Sequence, residues 1–251
     1  MSCVNIRGCR IGEGRPKVIL PIVEGTEATI LEKAAQFSTL QADCVEWRVD
    51  YFEGVRAPGA VARCLAKMRV ILRDKLLLVT FRTKTEGSEQ ALSHPEYLDF
   101  LSLILDTDCA DLLDIEFFTA GADLPKLVEQ AHSAGVAVVC SSHDFAKTPP
   151  RAELVCRMVQ MQQAGADLPK LAVMPQCRAD VLELLAATAE MAEHHPETPV
   201  ITMSMGALGA VSRLAGEAFG SAMTFANPGQ ASAPGQVPLE VVNQVLDALH
   251  L

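Results

Sequence analysis

The chain has 251 residues, 49% of them hydrophobic, with mean hydropathy +0.21, formal net charge −10 and a sequence pI of about 5.1. This supports one large core and suits the size of an α/β barrel. The diffuse negative charge argues against nucleic acid or an anionic membrane as partner, and no apolar run nears the roughly 20 residues that span a bilayer.

Residues 3–16 open the chain. Val4-Asn5-Ile6 and Arg10-Ile11 flank Gly8, which predicts a small β-hairpin at the floor of the fold. Eight β-like runs follow, at 17–23, 44–50, 76–83, 112–118, 137–144, 168–174, 200–205 and 221–226. Helical periodicity separates them, strongest at 27–40, 60–72, 95–105, 152–163, 180–193 and 239–251. Alternating strands and helices imply parallel βαβ units, and eight of them predict a (β/α)8 TIM barrel as a single domain over 1–251. A doubly wound open sheet would place a Gly-rich turn after its first strand; Pro21-Ile22-Val23-Glu24-Gly25 is not one. The eight cysteines lack CxxC pairs and read as reduced thiols, with neither disulfides nor a metal expected. The N-terminus carries no apolar signal region, so a cytoplasmic location is expected.

Side chains alternate between the faces of a strand. Glu46, Arg48 and Asp50 share one parity, opposite Val45, Trp47 and Val49. Thr80 and Arg82, Asp114 and Glu116, Ser141 and His143, Lys170 and Ala172, and Thr202 and Ser204 form corresponding sets on later strands. Barrel interiors are filled mainly by Val, Ile and Leu. A barrel lined with ionisable groups at one parity must pair them, either as a structural network or as a site. A Lys, a His and several Arg together favour a site. His143 ends its strand, where barrel enzymes keep their chemistry, whereas His94, His132, His194 and His195 lie on polar stretches.

Gly-Ala-Asp-Leu-Pro-Lys occurs twice, at 121–126 and 165–170. Lys126 leads into an amphipathic helical pattern and reads as a surface residue. Lys170 leads into an apolar strand, faces inward, and is the candidate amine nucleophile.

In order along the chain, these segments resemble the type I 3-dehydroquinate dehydratases. The motifs are Glu46-Trp47-Arg48-Val49-Asp50, Phe81-Arg82-Thr83 with Glu86-Gly87, Ser142-His143-Asp144-Phe145, Ala166 to Pro175 around Lys170, Thr202 to Gly206, Ser212-Arg213-Leu214, and Ala231-Ser232-Ala233-Pro234-Gly235-Gln236. The resemblance implies a cofactor-free lyase that dehydrates 3-dehydroquinate to 3-dehydroshikimate by syn elimination. Lys170 would form the imine, His143 would act as general acid and base, and Glu86 would orient His143. Glu46, Arg48 and Arg82 would hold ring hydroxyls, Arg213 the substrate carboxylate, and Ser232 and Gln236 would lie on a lid. It also implies a homodimer. Pro21 stands where many relatives have Ser, Gln230 where many bacterial relatives have Lys, and Ser142 where some have a larger polar residue. The alternatives are a class I aldolase-like barrel acting on a sugar phosphate and a non-catalytic barrel. A metal-dependent hydrolase is disfavoured, because no two inward histidines fall at ligand spacing.

Overall fold

The computed structural model describes residues 2–229 and 233–251. The chain begins with an antiparallel hairpin of β1 (Val4–Ile6) and β2 (Cys9–Ile11). Its two-residue turn, Arg7-Gly8, has both φ angles positive, at 50° and 82°, the conformation whose twist matches paired strands.

Eight strands follow, all parallel: β3 (Lys17–Ile22), β4 (Cys44–Arg48), β5 (Leu76–Thr80), β6 (Leu112–Glu116), β7 (Ala137–Asp144), β8 (Leu168–Val173), β9 (Ile201–Ser204) and β10 (Met223–Asn227). They pair in sequence order, and β10 returns to pair with β3. A parallel bridge between Val200 and Ser221 joins the ends of β9 and β10, with the Ala222 N–H donating to the Val200 carbonyl at 2.8 Å. This closes the (β/α)8 barrel. A short β11 (Val237–Pro238) lies beside β10.

The helices are α1 (Glu27–Ser38), α2 (Ala60–Ile71), α3 (His94–Leu105), α4 (Phe117–Ala120), α5 (Leu124–Ser133), α6 (Arg151–Gln163), α7 (Arg178–His194), α8 (Val211–Leu214), α9 (Gly216–Phe219) and α10 (Leu239–Ala248). Local chemistry starts several of them. Ser93 caps α3 in a capping box with Glu96, with Pro in the first turn.

Two apolar layers hold the barrel. Leu20, Val45, Trp47, Val79, Leu171 and Val173 face outward and pack beneath the helices. Ile19, Cys44, Leu78, Leu112, Val139, Leu168 and Ile201 fill the lower interior, where Ile11 of the hairpin joins them fully buried. The hairpin therefore plugs the N-terminal end, as expected.

The sequence expectations needed two corrections. The strands at 44–50, 76–83 and 112–118 end early, at Arg48, Thr80 and Glu116. A turn of 3-10 helix at Val49–Tyr51 follows the first of them and α4 the last. Thr202 and Ser204 do not face inward: their register partners Leu171 and Val173 belong to the outer layer. The Thr202 hydroxyl shares a 2.7 Å hydrogen bond with Thr188 of α7, so its polarity is satisfied between sheet and helix. Met203 takes the inward place.

Truncating Ile11 leaves a cavity under the barrel that the rigid strand ring cannot collapse into. Ile11→Ala is expected to lower unfolding free energy by about 3 kcal/mol, as measured by urea denaturation.

Candidate active site

Above the apolar floor the barrel interior becomes charged. Glu46 and Arg48 come from β4, Asp114 and Glu116 from β6, Ser141 and His143 from β7, and Lys170 from β8. The parallel register sets Glu116 beside Ser141 and Ser141 beside Lys170. Of these, Glu46, Arg48, His143 and Lys170 line a cavity of about 220 Å³ at the C-terminal end of the strands, together with Arg82, Glu86, Arg213 and Gln236.

Arg82 is the centre of the network and is 4% exposed. It donates to Asp114 at 2.9 Å, to Glu116 at 3.0 Å, to Glu86 at 3.2 Å and to Ser141 Oγ at 2.9 Å. Burial opposes its charge, and the three carboxylates more than offset that, so its pKa is raised. Thr83 and Thr119 hydroxyls and the Thr83 N–H complete the shell of Glu116. The Tyr97 hydroxyl donates no bond there: it accepts one from the Glu116 N–H.

Lys170 is 3% exposed. Its Nζ lies 3.1 Å from Asp114 Oδ2 and 4.8 Å from the centroid of the Phe225 ring. Asp114 also accepts from Ser141 at 2.6 Å. Burial would raise the Asp114 pKa, but Arg82 and Lys170 outweigh it and hold the carboxyl down at about 2. A fixed anion therefore touches the amine.

His143 Nδ1 lies 2.8 Å from Glu86 Oε2. Burial, helped by Arg82, Lys170 and Arg48, pushes the imidazole well below its ordinary pKa of 6.5. Burial pushes Glu86 up to about 8, against the pull of Arg82. The pair thus resists carrying charge on either member. Arg48 is held by both oxygens of Asp50, at 2.9 and 2.8 Å, and its guanidinium lies over the Tyr51 ring.

Arg213, on α8, differs from the other cations. It is 2% exposed and has no carboxylate partner among the described residues. One nitrogen contacts Met203 Sδ, another donates to the Pro234 carbonyl at 3.2 Å, and Nε is buried without a hydrogen bond. Burial lowers its pKa to about 10. The site holds a guanidinium but not the anion to match it.

The structure therefore brings together Lys170, His143, Glu86, Glu46, Arg48, Arg82, Arg213 and Gln236. Ser232 and Gln230 lie outside the described residues. Lys126 is exposed at the start of α5, away from the cavity. Pro21 sits within β3 opposite Glu46 and brings neither hydroxyl nor N–H. Asp114 and Glu116 had the right parity but were given no role, and their contacts to Lys170 and Arg82 supply one. Met203, Met205 and Phe225 line the cavity as well, and apolar strand residues gave no signal that they would.

A closed (β/α)8 barrel with a buried Lys, a His–carboxylate pair and an Arg without a carboxylate partner among the described residues, gathered at the strand ends, has the form of a barrel-enzyme active site. The type I 3-dehydroquinase family model matches residues 18–251. Similar curated proteins are the 3-dehydroquinate dehydratases of Bacillus licheniformis, 47% identical over 98% of this chain and 97% of that protein, and of Salmonella typhimurium, 44% identical over 100% and 99%. A solved type I 3-dehydroquinate dehydratase from Clostridium difficile, covalently modified by comenic acid, superposes with TM-score 0.96 at 43% identity, covering 99% of this chain and 98% of that one. The chain belongs to the type I 3-dehydroquinase family, and it is a hydro-lyase. No helix among the described residues is long and apolar enough to cross a membrane.

The raised pKa of Glu86 has a consequence for stability. The folded state binds its proton more tightly than the unfolded chain does. The benefit is therefore complete below pH 4.5 and is lost as pH rises to about 8. Glu86→Gln removes that loss, so the variant should gain ~4 kcal/mol on the parent between acidic and mildly alkaline pH, as measured by urea unfolding across that range.

Proposed function

We propose that this protein dehydrates 3-dehydroquinate to 3-dehydroshikimate through an imine on Lys170. The observation that carries the reading is Arg213: a buried guanidinium without a carboxylate partner among the described residues, lining the same cavity as a buried Lys. Such a site suits a molecule that bears both a carboxylate and a ketone. The names of its relatives agree with this.

In this mechanism the Lys170 amine adds to the ring ketone and one water leaves, giving a protonated imine. Asp114, 3.1 Å from Nζ, stays as its counter-ion. The imine withdraws electrons and acidifies the adjacent C–H. The Glu86–His143 pair titrates as a unit. In its basic form Nδ1–H donates to the Glu86 carboxylate, Nε2 takes the substrate proton, and the same nitrogen then protonates the departing hydroxyl. Loss of that second water leaves the conjugated product imine. A third water hydrolyses the imine and restores the amine. Glu46, Arg48 and Arg82 bind ring hydroxyls, and the segment carrying Ser232 and Gln236 acts as a lid. The chain acts without a cofactor, as one domain over 1–251, in the cytoplasm and as a homodimer; the family resemblance supports these last features.

Incubation with 3-dehydroquinate and borohydride, followed by peptide mapping, is expected to give an adduct on Lys170 and none on Lys126. Lys170→Met should abolish both adduct and turnover, while His143→Ala should still form the adduct and turn over slowly. An adduct on Lys126, or an active Lys170→Met variant, would sink the assignment.

Arg213→Ala tests the carboxylate clamp. Losing one charge-assisted pair should raise KM about 30-fold, equivalent to ~2 kcal/mol, with a smaller change in kcat, as read from steady-state kinetics.

A further inference from the structure

A second cavity, of about 330 Å³, opens on the flank of the barrel mouth between the loop that follows β5 and the short helix α4. Thr83, Thr85, Ala91, His94, Phe118 and Thr119 line it, and its inner end is formed by Glu86 and His143. Those two residues also line the main cavity. The acid–base pair thus stands as the wall between the substrate chamber and a groove that reaches solvent.

Three features of this groove suit water. The Thr83 and Thr85 hydroxyls are 2.6 Å apart, and Thr83 and Thr119 each donate to Glu116 Oε2 at 2.6 Å, so the inner part is lined by hydroxyls. His94 is tied across to the Thr119 carbonyl at 3.0 Å and to Asp123 at 2.8 Å, which holds α3 to the far wall. Most pointed is Glu86 Oε1. The Glu86 side chain is 5% exposed, and this oxygen has no hydrogen-bond partner among the described residues. A buried carboxyl oxygen of this kind is ordinarily satisfied by an ordered water.

On the opposite side of the main cavity the segment 233–236 is tied down. Ala233, Pro234 and Gln236 line the cavity there. The Pro234 carbonyl accepts from both Arg213 and the Gly206 N–H, each at 3.2 Å. Gly235 has φ +74°, and a Cβ on it would fall 2.1 Å from the Gly206 carbonyl oxygen, so this segment seats backbone to backbone on the loop after β9.

We propose that the flank groove is the water port of the reaction. The proposal rests on the imine reading above. For each turnover, imine formation and elimination each release one water, and hydrolysis of the product imine takes one back. With substrate filling the chamber, the groove behind His143 gives that hydrolytic water a path of its own.

The test fills the groove without touching groups that meet substrate. Ala91→Trp and Thr85→Phe are made in the full chain, so that one variant serves if the other folds poorly. Each is run at saturating 3-dehydroquinate, quenched with borohydride at steady state, and the Lys170 adducts are weighed. The substrate-derived and product-derived adducts differ in mass by one water. Slower water access should lower kcat roughly fivefold, lower KM alongside it as the product imine accumulates, and shift the trapped population toward the lighter, product-derived adduct. A loss of packing alone would not move that ratio. Both variants giving the parent's adduct ratio would overturn the port. An unsubstituted protein that forms no Lys170 adduct would instead overturn the imine reading.

Discussion

The site depends on one buried guanidinium. Arg82 bonds to Asp114 and Glu116 on β6, to Ser141 on β7 and to Glu86 in the loop after β5. Removing a charge from water is costly unless it is paired and fully hydrogen-bonded, and each of these partners answers that cost. The same bonds fix three neighbouring strand ends relative to one another. Asp114 then holds Lys170, Glu86 holds His143, and Glu116 holds Thr83 and Thr119. The positions of the reactive groups thus follow from how one cation is neutralised.

Charge in the chamber is distributed unequally. Arg48, Arg82 and Lys170 each have a carboxylate within hydrogen-bond distance, whereas among the described residues Arg213 meets a carbonyl and a thioether. Burial depresses the pKa of Arg213 for that reason. It also raises Glu86 to about 8 and lowers His143, so this pair is kept near neutrality of charge beside several fixed ions. A substrate bringing one carboxylate completes the set without displacing any existing ion pair.

Much of this was legible in the chain. Strand parity put Glu46, Arg48, Asp114, Glu116, Ser141, His143 and Lys170 inside the barrel, because a period of two needs no tertiary information. It failed on β9, where polarity was taken as the sign of the inner face. Thr202 faces outward because α7 offers Thr188 as a partner, and Met203 faces inward because the chamber has an apolar wall. Arg82 and Arg213 lie beyond strand ends, so their convergence with the strand residues depended on loops and on α8. The flank groove had no sequence signal at all, since its lining comes from three separate segments.

The repeated hexapeptide separates what each level decides. By itself the sequence determined the alternating strands and helices, the inward charged parity and, from the residues that follow each copy of the hexapeptide, the preference for Lys170 over Lys126. Tertiary structure assigned them different fates. Leu124-Pro125-Lys126 begins α5 and leaves Lys126 in solvent. Leu168-Pro169-Lys170 pairs with Val139, Cys140 and Ser141 as the inside of β8, which buries Lys170 against Asp114. The hexapeptide is the same in both copies and the residues after it already point one to a helix and the other to a strand, but only long-range strand pairing brings the neighbouring charges within reach of Lys170.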